Sequence, residues 1–123
     1  MAERRYGRIV MVSSVTGTYV TAPGSTAYAT AKGAMDGMMR TIALEHGRLG
    51  ITANSVAPGW IATDMTAGLR ENPRVAAKVD PRIPMRRWGQ PHDLGGLAVY
   101  LASPASSYHT GDVLTVDGGY GIF

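Results

Sequence analysis

The chain has 123 residues, 45% hydrophobic and 17% charged, with no cysteine and a net charge of +3 from 12 Lys plus Arg against 9 Asp plus Glu. That length holds one domain with a modest core, and a charge content below the average of ~25% predicts more surface covered by partners than usual. The absence of cysteine excludes disulfides and thiolate metal sites and fits a reducing cytoplasm, while a positive excess spread along the chain without aromatic interleaving argues against a nucleic-acid surface. No apolar run approaches ~18 residues and no apolar stretch follows Met1–Arg5, so neither a membrane span nor a signal peptide is expected. His46, His92 and His109 are too scattered for a helical metal pair, and no metal is assigned.

In chain order, Glu3 to Gly7 reads as the frayed end of an element. Arg8 to Val12 is a near-continuous apolar run, the pattern of a parallel strand covered on both faces, and it ends in the hydroxyls of Ser13 and Ser14. The carboxyl end of such a strand is where open α/β sheets place their chemistry. Val15 to Gly24 is a Thr-, Gly- and Pro-containing loop in which local packing is one role open to Tyr19 and Val20. A helix follows from about Ser25 to His46, with Ser25 or Thr26 as its cap and Gly47 as its stop.

Its apolar positions, Ala31, Met35, Met38, Met39 and Ile42, mark the expected packing face. A second row, Ala29, Gly33 and Gly37, is small at every fourth position, which suits either a closely approaching helix or packing on the sheet. The two interior glycines cost about 1 kcal/mol each against alanine. Tyr28 and Lys32 are one turn apart and share a face. An ammonium a few ångström from a phenol favours the phenolate, so the pair is suited to exchanging a proton with a carbonyl oxygen held by a serine hydroxyl. Alone, a Tyr-x-x-x-Lys spacing is more often an amphipathic tyrosine beside a snorkelling lysine.

Ile51 to Ala57 is the second predicted strand, stopped by Pro58-Gly59. Residues Asp64 to Pro84, with Met65, Leu69 and Val75, read as a mobile segment. Arg86 and Arg87 either meet an anionic carrier or form structural ion pairs, the second being favoured. Pro91 begins the last helix, with Asp93 in its first turn, Pro104 past its end, and Leu94, Leu97, Ala98 and Leu101 as its apolar face. Val113 to Val116 is the third strand, before the turn Asp117-Gly118-Gly119. The fold class is α/β, about three parallel strands alternating with flanking helices.

Four ordered motifs carry a resemblance: Ser14 with Gly17 and Tyr28-x-x-x-Lys32; Asn54-Ser55-Val56-Ala57-Pro58-Gly59 with Thr63; Pro84 to Pro91; and Gly111 to Gly119. Together they resemble the C-terminal half of the short-chain dehydrogenase/reductase family, similar to 3-oxoacyl carrier-protein reductases and to gluconate and sugar dehydrogenases. The resemblance implies half of a doubly wound Rossmann-like fold, with Ser14, Tyr28 and Lys32 catalytic. It implies a nicotinamide cofactor, NAD or NADP, touched by Tyr28, Lys32, Pro58, Gly59, Ile61 and Thr63. It also implies a small carbonyl or alcohol substrate, covered by the Asp64 to Pro84 segment and bordered by the Val15 to Gly24 loop, where Tyr19 and Val20 either line it or pack locally.

By the same resemblance, residues 1–123 form a truncated domain lacking the N-terminal, cofactor-binding half, and the first strand is left with an open apolar edge. Neither Thr16-Gly17 nor Gly118–Gly121 supplies a phosphate loop. Turnover is then expected to need a longer product, a complementing chain or association of copies, family members often dimerising through the Tyr28 helix. The alternative is a non-catalytic oligomerisation or interaction subunit derived from such an enzyme.

Overall fold

The computed structural model describes residues 1–122 and layers helices on a parallel sheet. Its strands are β1 (Gly7–Val12), β2 (Ile51–Pro58) and β3 (Val113–Val116), in the order β1-β2-β3. β1 pairs with β2 from Gly7 opposite Ile51 to Val12 opposite Val56, and β3 pairs with β2 from Val113 opposite Ser55 to Val116 opposite Pro58. All strands therefore finish on one side of the sheet. This is the half of a doubly wound, Rossmann-like α/β fold that the sequence predicts.

The helical segments among the described residues are α1 (Val15–Thr18), α2 (Thr26–His46), α3 (Ala67–Arg70), α4 (Pro73–Val79) and α5 (Gly95–Ala102), with short 3-10 turns between them. None is long and apolar enough to cross a membrane. β2 is the middle strand, and every residue from Ile51 to Ala57 is buried, as a strand paired on both sides and covered on both faces requires. β1 lies at the edge, where Val10 and Val12 remain 39% and 57% exposed.

α2 packs with its buried residues Asp36, Met39 and Ala43, spaced by three and four. Met39 and Ala43 join Val15, Ala53, Ala57 and Val113 in the core. The packing face is thus rotated from the one expected of the apolar positions: Met38 is 51% exposed, Ala31 is exposed, and Met35 and Ile42 are half-buried. An apolar pattern cannot reveal a buried carboxylate, because what makes its burial tolerable is a hydrogen bond.

The ends of α2 also differ from expectation. Ser25 precedes the helix, but its hydroxyl donates to the Ala22 carbonyl at 2.6 Å instead of capping a helix N–H. Gly47 does not stop the helix; at φ −55° it leads into a 3-10 turn, Gly47–Leu49, and Gly50 at φ 71° makes the reversal. A Cβ on Gly50 would lie 2.3 Å from the Arg5 carbonyl oxygen, so handedness and backbone closeness both demand glycine there.

The last helix likewise opens late. Pro91–Leu94 is a 3-10 turn in which Asp93 accepts a 2.7 Å bond from the Gln90 N–H, and α5 begins at Gly95. Leu101 is buried and Leu94 and Leu97 are half-buried, but Ala98 faces outward. On β2, Asn54 donates to the His109 carbonyl at 2.8 Å and accepts from the Asp112 N–H at 3.2 Å, which fixes the entry into β3.

Candidate active site

The chemistry-bearing residues converge at the carboxyl ends of β1 and β2, where the chain turns sharply away from the sheet. Ser13 and Ser14 are buried there, at 3% and 8% exposure. Ser14 is extended, with φ −164° and ψ 151°, and its Oγ accepts a 3.1 Å bond from the Thr16 N–H. A hydroxyl that accepts in this way keeps its own proton for another partner.

Gly17, at φ 100°, folds α1 back onto α2. A Cβ on Gly17 would lie 2.4 Å from the Ala29 carbonyl oxygen, and one on Gly33 would lie 3.0 Å from the Gly17 carbonyl oxygen. The small residues Ala29 and Gly33 therefore seat the α1 turn within the chain. Of the row expected to admit another helix, Gly37 has open space beside it.

Behind this turn lies a polar cluster that the sequence reading missed. Ser13 Oγ donates to the Lys32 main-chain carbonyl at 3.2 Å and stands 3.3 Å from Thr18 Oγ1, while the Thr18 hydroxyl donates to Asp36 Oδ2 at 2.5 Å. Asp36 is 3% exposed, and its Oδ1 has no hydrogen-bond partner among the described residues. The cluster locks the loop carrying Ser14 to the helix carrying Tyr28 and Lys32. Its one available signal was an acid four residues after Lys32, on the same side of the helix.

Tyr28 is 46% exposed, and Lys32 Nζ stands 5.7 Å from the centroid of its ring. The ammonium donates a 2.8 Å hydrogen bond to the Val12 carbonyl at the end of β1. Across the cleft, Pro58 ends β2, and Gly59 passes so close to the following turn that a Cβ would lie 2.6 Å from Asp117 Cβ. Ile61 is buried, and its carbonyl already accepts from the Thr66 hydroxyl at 2.6 Å. The Thr63 N–H donates to Thr66 Oγ1 at 3.0 Å, and Thr63 itself is exposed.

Two cavities meet along a wall that includes Ser14, Tyr28 and Gly59. One, of about 270 Å³, is also lined by Lys32, Pro58, Ile61 and Thr63, so it gathers every site residue expected from the sequence. The other, of about 290 Å³, is walled by Val15, Ala22, Trp60, Met65 and Leu69. Trp60 was not anticipated; it is held by Trp88 and Tyr120, at ring separations of 5.1 and 6.1 Å. Tyr19 and Val20 line neither cavity: the Tyr19 hydroxyl donates to the Val113 carbonyl at 3.3 Å, and Val20 packs on the core. Val75 is likewise a packing residue.

Arg87 forks onto Asp93 with contacts of 2.7 and 3.0 Å. That hydrogen-bonded guanidinium, followed by the Gln90 N–H, holds the Asp93 carboxyl well below the usual carboxylate range, and Asp93 in turn raises Arg87. Arg86 donates to the Pro81 carbonyl at 3.0 Å. Arg87 thus makes a structural ion pair, the favoured of the two readings, whereas Arg86 is held by a main-chain carbonyl and makes no ion pair among the described residues.

With this geometry in view, comparison with known proteins is informative. A family model described as enoyl-(acyl carrier protein) reductase matches residues 1–121. The chain is 43% identical to oxidoreductase UcpA of Escherichia coli K12, over 97% of the chain and 48% of that relative. A gluconate 5-dehydrogenase from Burkholderia cenocepacia, solved with NADP and tartrate, superposes with a TM-score of 0.95 at 34% identity, covering 99% of this chain and 48% of that one. A 3-oxoacyl-[acyl-carrier protein] reductase from Brucella melitensis gives a TM-score of 0.88 at 41% identity, covering 98% and 44%. The chain spans about half the length of the curated relatives it matches. A sheet ending in Ser14, a helix presenting Tyr28 and Lys32, and matches over nearly the whole of residues 1–121 lead to one conclusion: the chain belongs to the short-chain dehydrogenase/reductase family of oxidoreductases.

Proposed function

We propose that this chain is the proton-transfer and substrate-binding half of an NAD- or NADP-dependent carbonyl reductase or alcohol dehydrogenase. The observation that carries this reading is the shared wall of Ser14 and Tyr28, with Lys32 and Thr63 in one adjoining cavity and an apolar chamber in the other. The Lys32 cavity suits the nicotinamide riboside end of such a cofactor. Lys32 offers a cation to sugar hydroxyls, Thr63 a hydroxyl and Ile61 an N–H to a carboxamide, and Pro58-Gly59 a flat floor.

The pyrophosphate has no comparable cradle among the described residues. The α1 turn around Gly17 runs on into loop, and Gly118-Gly119 leads into a 3-10 turn of three residues, Tyr120–Ile122. We assign the phosphates to protein outside residues 1–123, in a longer product or an associating chain. A nicotinamide cofactor, when bound, supplies the hydride in reduction and takes it in oxidation.

The residues of this chain handle the oxygen and its proton. In reduction, Ser14 donates its free O–H to the carbonyl oxygen and fixes it, and Tyr28 transfers its phenolic proton to that oxygen as the carbon is reduced. The Lys32 ammonium stabilises the negative charge left on Tyr28. In oxidation the phenolate takes the alcohol proton. General acid–base catalysis of this kind is worth on the order of 10²–10⁴ in rate.

The test is turnover of a small ketone with NADH or NADPH by an assembly that supplies a glycine-rich phosphate loop. Tyr28→Phe in that assembly should lower kcat by about the same 10²–10⁴. Near-normal turnover by the variant would remove Tyr28 from the reaction.

A further inference from the structure

The chamber on the far side of the Ser14–Tyr28 wall has a lining of its own. Its walls are the side chains of Val15, Ala22, Trp60, Met65 and Leu69, and among its lining residues Tyr28 is the sole ionisable one. The remaining polar lining is the hydroxyls of Ser14, Thr16, Ser25 and Thr66 and the Trp60 indole, and two of those hydroxyls already donate within the chain. Ser25 donates to the Ala22 carbonyl at 2.6 Å, and Thr66 donates to the Ile61 carbonyl at 2.6 Å. Ser14 already accepts from the Thr16 N–H, which leaves its proton, with the Tyr28 hydroxyl, for the reacting oxygen.

A polyhydroxylated acid placed here would set hydroxyls against Val15, Met65 and Leu69 and a carboxylate with no Lys or Arg in the lining, both unfavourable without compensating partners. An alkyl or aryl arm would replace water on every wall it touched. At about 290 Å³ the chamber lies near the lower limit of small-molecule pockets, enough for a short chain or a single ring.

We infer that the substrate is a ketone or secondary alcohol whose buried arm is apolar and uncharged, a class nearer to acyl or aryl ketones than to sugar acids. Leu69 and Met65 set that preference. They are the adjustable part of the wall, because both lie on the covering segment after Thr63 and are 44% and 84% exposed, whereas Trp60 is held by Trp88 and Tyr120. This inference rests on the proposed use of the Tyr28 site but is tested by binding, without turnover.

The 123-residue chain is labelled with ¹³C at its methionine methyl groups, and the Met65 signal is assigned from the Met65→Leu variant. It is then titrated with 4-phenylbutan-2-one and, separately, with 5-ketogluconate. The ketone should shift the Met65 methyl saturably, and the sugar acid should leave it unmoved over the same range. Leu69→Arg, a change at an exposed position, should weaken the ketone by at least ~tenfold and bring the sugar acid into range. A Met65 shift produced equally by the sugar acid, or none produced by the ketone, overturns the assignment. A Met65 response to the ketone together with full activity of Tyr28→Phe would instead overturn the proposed chemistry and leave the chamber standing.

Discussion

The ammonium of Lys32 donates a 2.8 Å hydrogen bond to the main-chain carbonyl of Val12, the last residue of β1. Because the Ser13 N–H bonds to the Val56 carbonyl on β2, the trans peptide directs the Val12 carbonyl the opposite way, toward the open edge of the sheet. Lys32 thus satisfies an outward-facing backbone group of the edge strand and is held in the cleft beside Tyr28 by the same contact. Its stem crosses from helix to strand where both border the cavity of about 270 Å³.

Removing that contact should separate stability from function. The Val12 carbonyl stands at an exposed edge and can turn to water, so Lys32→Met should cost no more than about 1 kcal/mol in denaturant unfolding. Turnover by the complemented enzyme should fall far more steeply than that loss explains. A large drop in stability with proportionate activity would make Lys32 a structural residue.

Gly17 and Gly24 test the α1 seat. Both have positive φ, 100° and 80°, but a Cβ on Gly17 meets the Ala29 carbonyl oxygen at 2.4 Å while one on Gly24 meets nothing within 4 Å. Gly24→Ala should show only the strain of a left-handed residue, about 1–2 kcal/mol. Gly17→Ala should be clearly worse, because backbone must move as well, and thermal unfolding of the two variants side by side measures the difference.

Asp36 binds the Ser14 loop to α2 through Thr18. Asp36→Ala leaves the Thr18 hydroxyl without its acceptor and removes a buried side chain, for an expected loss of about 1–3 kcal/mol. Thr18→Val removes the donor and leaves the carboxylate, so the double variant should cost less than the sum of the singles. Additive losses would mean that the 2.5 Å contact carries no coupling.

The Arg87–Asp93 pair predicts a pH dependence. The Asp93 carboxyl is held well below its usual range by Arg87 and the Gln90 N–H, so the folded chain binds its proton less readily than the unfolded chain does. Its stabilising contribution is therefore complete above the ordinary carboxylate range near ~4 and is lost as pH falls through the depressed folded value. Asp93→Asn should be less stable than the parent at pH 7, with the difference shrinking as pH is lowered from 4 toward 2. A difference independent of pH would mean that the charge of the Asp93 carboxylate contributes nothing to it.

Much of this molecule was legible in the residues themselves. Backbone periodicity is local, so the apolar runs at Arg8–Val12 and Ile51–Ala57 and the short run at Val113–Val116 announce three strands, and the four-residue step from Tyr28 to Lys32 places both on one helical face wherever that helix is packed. The expected site residues Ser14, Tyr28, Lys32, Pro58, Gly59, Ile61 and Thr63 all line one cavity because parallel strands deliver their carboxyl ends to the same side of the sheet.

What the tertiary structure alone decided is which side of α2 goes inward and what stands opposite it. Met38 is as apolar as Met39, yet it is half-exposed while Met39 is fully buried, and the face that goes inward carries Asp36, bonded by Thr18. The Ala29–Gly33 row looked like a groove for another helix and is filled by the Gly17 turn of the same chain. Trp60 became a chamber wall only through rings 28 and 60 residues further on. Each of these depends on a partner distant in sequence, and such pairings are set by the close packing of the whole domain, not by the period of any one segment.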